Sequence, residues 1–140
     1  IIADAIEQQL GTRKFSELGG LAQKAPTLAI LLVVLAFANI ALPLTNAFIG
    51  EFLMFNGLFQ YNVYFAAIAG VGIILAAVYT LNMVQNVLYG NTTTITENAV
   101  EISGNIKWML AFVTIMILVF GVYPQPMIDL TKDTVKALIK

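Results

Sequence analysis

The run Leu42-Pro43-Leu44-Thr45-Asn46-Ala47-Phe48-Ile49-Gly50-Glu51-Phe52 sets a proline, a polar pair and a carboxylate inside a segment that is otherwise apolar from Thr27 to Phe59. As one uninterrupted helix, residues 27–59 would be about 50 Å long at ~1.5 Å per residue. The hydrocarbon core of a bilayer is only about 30 Å thick. Pro43 lacks an amide donor and its ring clashes with the preceding turn, while Thr45 and Asn46 can bond the backbone groups it frees. The spacing therefore predicts a discontinuous transmembrane helix, 27–42 and 46–59, with Pro26 placed to open it.

Glu51 is the only charge in that segment. A charge at mid-membrane costs about 2.5–3.5 kcal/mol on insertion scales, so intramembrane carboxylates face a bundle interior or a water-filled cavity. There a carboxyl group can bind and release protons, provided that water or a basic partner reaches it. The plainer reading is a glutamate that snorkels to an interface or makes one structural hydrogen bond. Proton or ion handling is preferred because the helix break lies beside it, and broken helices expose backbone groups where transporters bind ions. Pro43, Thr45, Asn46 and Gly50 are the residues assigned to the break. Asn39 and Asn56, one in each half, are candidates for a polar path, or else for helix–helix hydrogen bonds worth under about 1 kcal/mol.

Working outward, residues 1–26 mix the end of an earlier helix with a loop marked by Arg13, Lys14, Glu17 and Lys24 and loosened by Gly11, Gly19 and Gly20. After the break, Phe59, Tyr61 and Tyr64 around Gln60 and Asn62 mark a membrane–water boundary. A second span is predicted over 63–89. Its small residues four apart, Ala66 with Gly70 and Gly72 with Ala76, are read as packing positions. Residues 90–105 are polar, a loop or surface helix. A third span follows over 106–123, stopped by Gly121 and Pro124-Gln125-Pro126. In 124–140, Ile128, Val135, Leu138 and Ile139 alternate with charges at the spacing of an interfacial amphipathic helix. The fold class expected is an all-α polytopic membrane protein: three transmembrane helices, the first discontinuous, and a C-terminal amphipathic helix. Lysine and arginine near the spans favour a cytoplasmic 1–26 loop and a C-terminus on the far side.

Composition supports this and narrows the chemistry. Hydrophobic residues make up 59% of the chain and charged residues 11%, against about 45–50% and about 25% in soluble domains. A soluble helical domain is the least favoured alternative. Seven basic against eight acidic residues leave no clustered positive charge for nucleic acid. With no cysteine and no histidine, the usual ligands for metals and iron–sulfur clusters are missing, and no cofactor is expected in this chain. The opening Ile1-Ile2, without Met or a charged-then-apolar leader, leads to the expectation of part of a longer chain with no signal peptide of its own.

The stretch 42–52 resembles the broken-helix motif of the antiporter-like membrane subunits of respiratory complex I, the proton-translocating NADH–quinone oxidoreductase. Leu18-Gly19-Gly20-Leu21-Ala22 with Lys24-Ala25-Pro26 resembles the family's loop before that helix. Val78-Tyr79 and Leu88-Tyr89-Gly90 resemble the end of the next helix, and Gly121-Val122-Tyr123-Pro124-Gln125-Pro126 the end of the last. Glutamate rather than lysine at position 51, with Tyr-Pro-Gln-Pro at 123–126, resembles the branch called chain M.

The resemblance implies inverted helical repeats, each with one broken helix, of which this chain holds the second. It implies Glu51 as the proton-exit residue, neighbouring membrane subunits, lipid and protons as partners, and a bacterial inner membrane with the C-terminus periplasmic. Leu44 and Ala47 depart from the family, which often has glycine there, and Gln85-Asn86 replaces a more basic pair. The alternatives are a subunit of a cation/proton antiporter or membrane-bound hydrogenase and, in another class, a helical membrane scaffold without transport.

Overall fold

The computed structural model describes residues 1–14 and 16–138. These residues form helices and connecting loops, with no strand among the described residues. The helices are α1 (Ile2–Leu10), α2 (Leu21–Lys24), α3 (Pro26–Asn39), α4 (Asn46–Tyr61), α5 (Val63–Tyr89), α6 (Gly104–Val122) and α7 (Gln125–Leu138), with a short 3-10 helix at Thr96–Asn98.

Local chemistry explains the boundaries. Gly11 takes the left-handed conformation at φ 72° and its amide bonds the Glu7 carbonyl, closing α1. Pro26 opens α3, where a missing amide hydrogen costs nothing. Only Asn62 separates α4 from α5: its amide bonds Leu58 O at 2.9 Å, and its side-chain oxygen accepts from the Tyr64 amide at 2.8 Å. One residue thus ends one helix and caps the next.

Both α5 and α6 pack against α3 and also against α4. The two shorter helices are thereby held along the same neighbours, with residues 40–45 between them. Burial is uneven. The core joins α1, α2, α3 and the last turns of α5 with Ile102 and Leu110, and Leu21, Leu28, Leu88 and Leu110 are fully buried. No residue of α4 is buried, and α4 and α5 expose Phe52, Leu53, Phe65, Ile68, Ile74 and Leu75. The accessible surface is 9463 Å², where a compact soluble chain of this mass would show roughly 7,100 Å².

Val63–Tyr89 and Gly104–Val122 are long and apolar enough to cross a membrane, and α3 is a shorter apolar helix. Only 11% of the most apolar stretch of each long helix is buried, whereas the core helix of a soluble protein would be covered on most sides.

The structure differs from the sequence reading in detail. The first apolar helix ends at Asn39 rather than 42, and its continuation runs to Tyr61 rather than 59. α6 starts at Gly104 and runs through Gly121 to Val122, so Gly121 is a helical residue and not a stop. The polar stretch after Gly90 is a folded loop rather than a surface helix. Thr96 Oγ1 donates to Gly19 O at 2.7 Å and Thr93 Oγ1 to Glu17 O at 2.7 Å. Glu101 then accepts from the Thr27 amide at 2.8 Å, serving the first turn of α3. In α7, Met127, Ile128, Leu130 and Val135 are exposed; Ile139, assigned to the same amphipathic face, and Lys140 lie outside the described residues.

Candidate functional site around the helix break

The interruption between α3 and α4 is a sequence of specific hydrogen bonds. The Leu42 amide reaches back to Phe37 O and the Ala41 amide to Ala38 O, both at 3.2 Å. This 6→1 and 5→2 pair is a Schellman ending, with Ala41 in the left-handed position at φ 52°. Pro43 follows, then Leu44 at φ 79°. Thr45 is 5% exposed; its hydroxyl donates to Leu42 O at 2.7 Å and its amide to the same oxygen at 3.1 Å. Thr45 thus closes the turn behind it rather than capping α4. Asn46 opens α4, exposed, and its side chain makes no hydrogen bond among the described residues.

Glu51 lies on the second turn of α4, half-buried. It lines a cavity of about 260 Å³ with Asn39 and Ile40 from beyond the break and Ala69, Gly72 and Ala76 from α5. A second cavity, of about 190 Å³, brings Glu51 together with Ala41, Phe48 and Phe52, whose two rings stack at 5.9 Å. The first space is ample for several waters, each of which needs about 10–15 Å³ on this measure. Glu51 is the only charged residue between Lys24 and Glu97, and among the described residues the ion pairs lie within residues 4–17. No group of three or more metal-ligating side chains occurs among the described residues.

Of the residues singled out from sequence, Glu51 and Asn39 meet in one cavity. Asn56 is exposed and lines neither cavity. Gly50 faces a different groove, shared with Pro124, Met127 and Ile128 at the start of α7. The small residues of α5 divide by role. Ala66 is buried, and a Cβ on Gly70 would meet the Phe55 ring at 3.3 Å, so both are packing positions. Gly72 has nothing within 4 Å of such a Cβ and, with Ala69 and Ala76, leaves the space beside Glu51 open. The spacing 69, 72, 76 is that of one helix face; the small-residue pairs expected from sequence, Ala66 with Gly70 and Gly72 with Ala76, do not include Ala69.

Residues 1–76 match the profile of a family described as NADH:quinone oxidoreductase/Mrp antiporter, transmembrane. Subunit M of NADH-quinone oxidoreductase from Rickettsia typhi is 32% identical over 140 residues, which are 99% of this chain and 28% of that protein. Its counterpart from Rhodobacter capsulatus is 32% identical over 136 residues, 96% of this chain and 27% of that one. Subunit M of F(420)H(2) dehydrogenase from Methanosarcina mazei is 31% identical over 137 residues, 98% and 28%. The chain spans little more than a quarter of the length of these relatives. Among solved structures, a chain of respiratory complex I from Thermus thermophilus with bound NADH superposes with a TM-score of 0.77 at 30% identity, covering 88% of this chain and 26% of that one. By its helical fold and its sequence, the chain belongs to the NADH:quinone oxidoreductase/Mrp antiporter family.

Proposed function

We propose that these residues form part of a proton-translocating membrane subunit of NADH–quinone oxidoreductase, in which Glu51 takes up and releases the proton on the exit side of the second half-channel. α3 and α4 act as two halves of one interrupted transmembrane helix, and α5 and α6 as the second and third spans. The carrying observation is the lone carboxylate on α4 that opens, across the break, into a cavity shared with Asn39. Intramembrane carboxylates that face cavities are the usual stations of proton relays.

The exposed aromatic rings support the placement in a bilayer. Tyr61 and Tyr64 at one end of α5 and Tyr89 and Trp108 at the other are all more than 70% exposed. Along α5, Tyr64 and Tyr89 stand about 37 Å apart at ~1.5 Å per residue, close to the roughly 40–45 Å between headgroup layers. The joined loops of residues 17–20 and 91–96 lie at the Tyr89 end and are assigned to the cytoplasm, with α7 on the periplasmic surface of a bacterial inner membrane. The partners are neighbouring membrane subunits, lipid and protons. Redox cofactors belong to other subunits.

The near-equal similarity to the F(420)H(2) dehydrogenase subunit supports a second reading at the level of the whole complex: the same membrane machinery serves a different electron donor. Glu51→Gln in the complete, assembled enzyme tests the shared core of both readings. Reconstituted in proteoliposomes, the variant should lose at least about tenfold in proton translocation while electron entry to a soluble acceptor persists. Translocation at the wild-type rate would leave only a membrane scaffold.

A further inference from the structure

Gly121 sits one residue from the end of α6 and is buried. A Cβ built on it would stand 2.5 Å from the carbonyl carbon of Leu44 and 2.6 Å from that of Thr45, with the Leu44 oxygen nearer still. These are backbone atoms of the break, which cannot swing aside as a side chain can. Leu44 meanwhile holds a left-handed φ of 79°, a conformation strained for a residue with a Cβ, and its own side chain is 65% exposed. The Leu44 side chain is not what keeps the turn in place. The contacts that remain are the two hydrogen bonds that the Thr45 hydroxyl and amide donate to Leu42 O and the bare α-carbon of Gly121 behind the Leu44–Thr45 peptide.

We propose that Gly121 is a positioning residue for Glu51. The inference rests on the reading of Glu51 as the proton-carrying group. Without a side chain, the last turn of α6 lies directly against the break and acts as a backstop for the start of α4. Glu51 follows six residues after Thr45, less than two helical turns away. A shift of the Thr45 peptide therefore carries Glu51 with it, rotating the carboxylate away from the cavity it shares with Asn39. Ordinary contact with a Cβ begins at 3.4 Å, so an alanine at 121 displaces the peptide by about 1 Å. Displacements of that size can cost about 10²-fold in a reaction that depends on orientation.

The test uses the complete enzyme in proteoliposomes with Glu51→Gln, Gly121→Ala and the double variant Leu44→Gly/Gly121→Ala. Gly121→Ala should lower translocation by about tenfold or more, displace its pH profile and shift the carboxyl infrared band that Glu51→Gln removes. Glycine at 44 lets the peptide turn without left-handed strain, so the double variant should recover most of the rate and the native pH profile. A Gly121→Ala enzyme with an unchanged rate and pH profile overturns the proposal, and so does a double variant that fails to recover. Should Gly121→Ala not assemble, assembly becomes the readout: restoration by Leu44→Gly supports the proposal, and failure to restore overturns it. Wild-type pumping by Glu51→Gln sinks the reading of Glu51 instead, whatever Gly121→Ala does.

Discussion

Ala41 and Leu44 carry the backbone strain of the molecule, since among the described residues they are the only non-glycine residues at positive φ. Ala41 occupies the left-handed position of the Schellman ending of α3, where glycine has no Cβ penalty. Ala41→Gly should stabilise the break by about 0.5–1 kcal/mol, read as a higher midpoint in detergent unfolding of the purified subunit. Thr45→Val should act in the opposite sense, removing the hydroxyl from Leu42 O at a cost of about 1–2 kcal/mol. Pro43 and Thr45 announced an interruption in the sequence because their chemistry is local: one lacks a donor and the other supplies one. The left-handed turns at Ala41 and Leu44 were not legible, because neither side chain favours that conformation: Ala41 takes it in the ending of α3, and the Leu44 peptide lies against Gly121 of α6. Glu17 shows the same locality in the loop. Its carboxylate is held below the usual glutamate range chiefly by the Thr12 hydroxyl and then by Lys14. A lowered value in the folded loop means that the contact adds stability above the ordinary glutamate range and loses it as the pH falls through the lowered value. Limited proteolysis of this loop should therefore accelerate only in acid below the ordinary glutamate range, and Glu17→Gln should abolish that step.

At the level of elements, the two ends of the bundle are held by different means. At the loop end, residues 17–20 and 91–96 are pressed together, with Thr96 fully buried and Gly19 so close to Asn91 O that no Cβ fits. Gly20 adds a left-handed φ of 66° and opens α2. Thr96→Val keeps the shape but leaves Gly19 O without its donor, at a cost of about 1–3 kcal/mol. Hydrogen exchange should then quicken in both loops together, and an increase confined to residues 91–98 would show that the two are not coupled. None of this docking was visible in the sequence. The polar stretch after Gly90 read as an ordinary connection because the carbonyls that Thr93 and Thr96 serve lie more than seventy residues upstream. The long apolar helices were legible for the converse reason: hydropathy is a property of the run itself and needs no partner. The cavity beside Glu51 falls between these cases. The carboxylate stood out alone, but the wall of Ala69, Gly72 and Ala76 becomes a wall only once α5 is laid against α4.

For the whole molecule, the asymmetry of burial is the governing fact. One end has a packed core, while α4, the first two-thirds of α5 and much of α6 present apolar surface outward. Such area in water would cost about 25 cal/mol per Å², a cost that the proposed placement in a membrane removes. If α3 with α4 makes one crossing, α5 a second and α6 a third, then Ser16 and Asn98 share one side of the membrane and Gln60 and Lys132 the other. All four positions are exposed and the 140 residues contain no cysteine, so single cysteines placed there can be probed once any cysteine elsewhere in the complete subunit has been replaced. With a membrane-impermeant maleimide, Ser16→Cys and Asn98→Cys should label in inverted vesicles, and Gln60→Cys and Lys132→Cys in right-side-out vesicles. Labelling of 16 and 60 from the same side would mean that the interrupted helix turns back at its break, in which case Asn39 and Glu51 would flank a re-entrant hairpin. Labelling of 60 and 98 from the same side would remove α5 as a crossing. The pattern expected leaves Glu51 between the two aqueous faces, on the half of the broken helix farther from the cytoplasmic loops, which is where a group releasing protons to the far side has to stand.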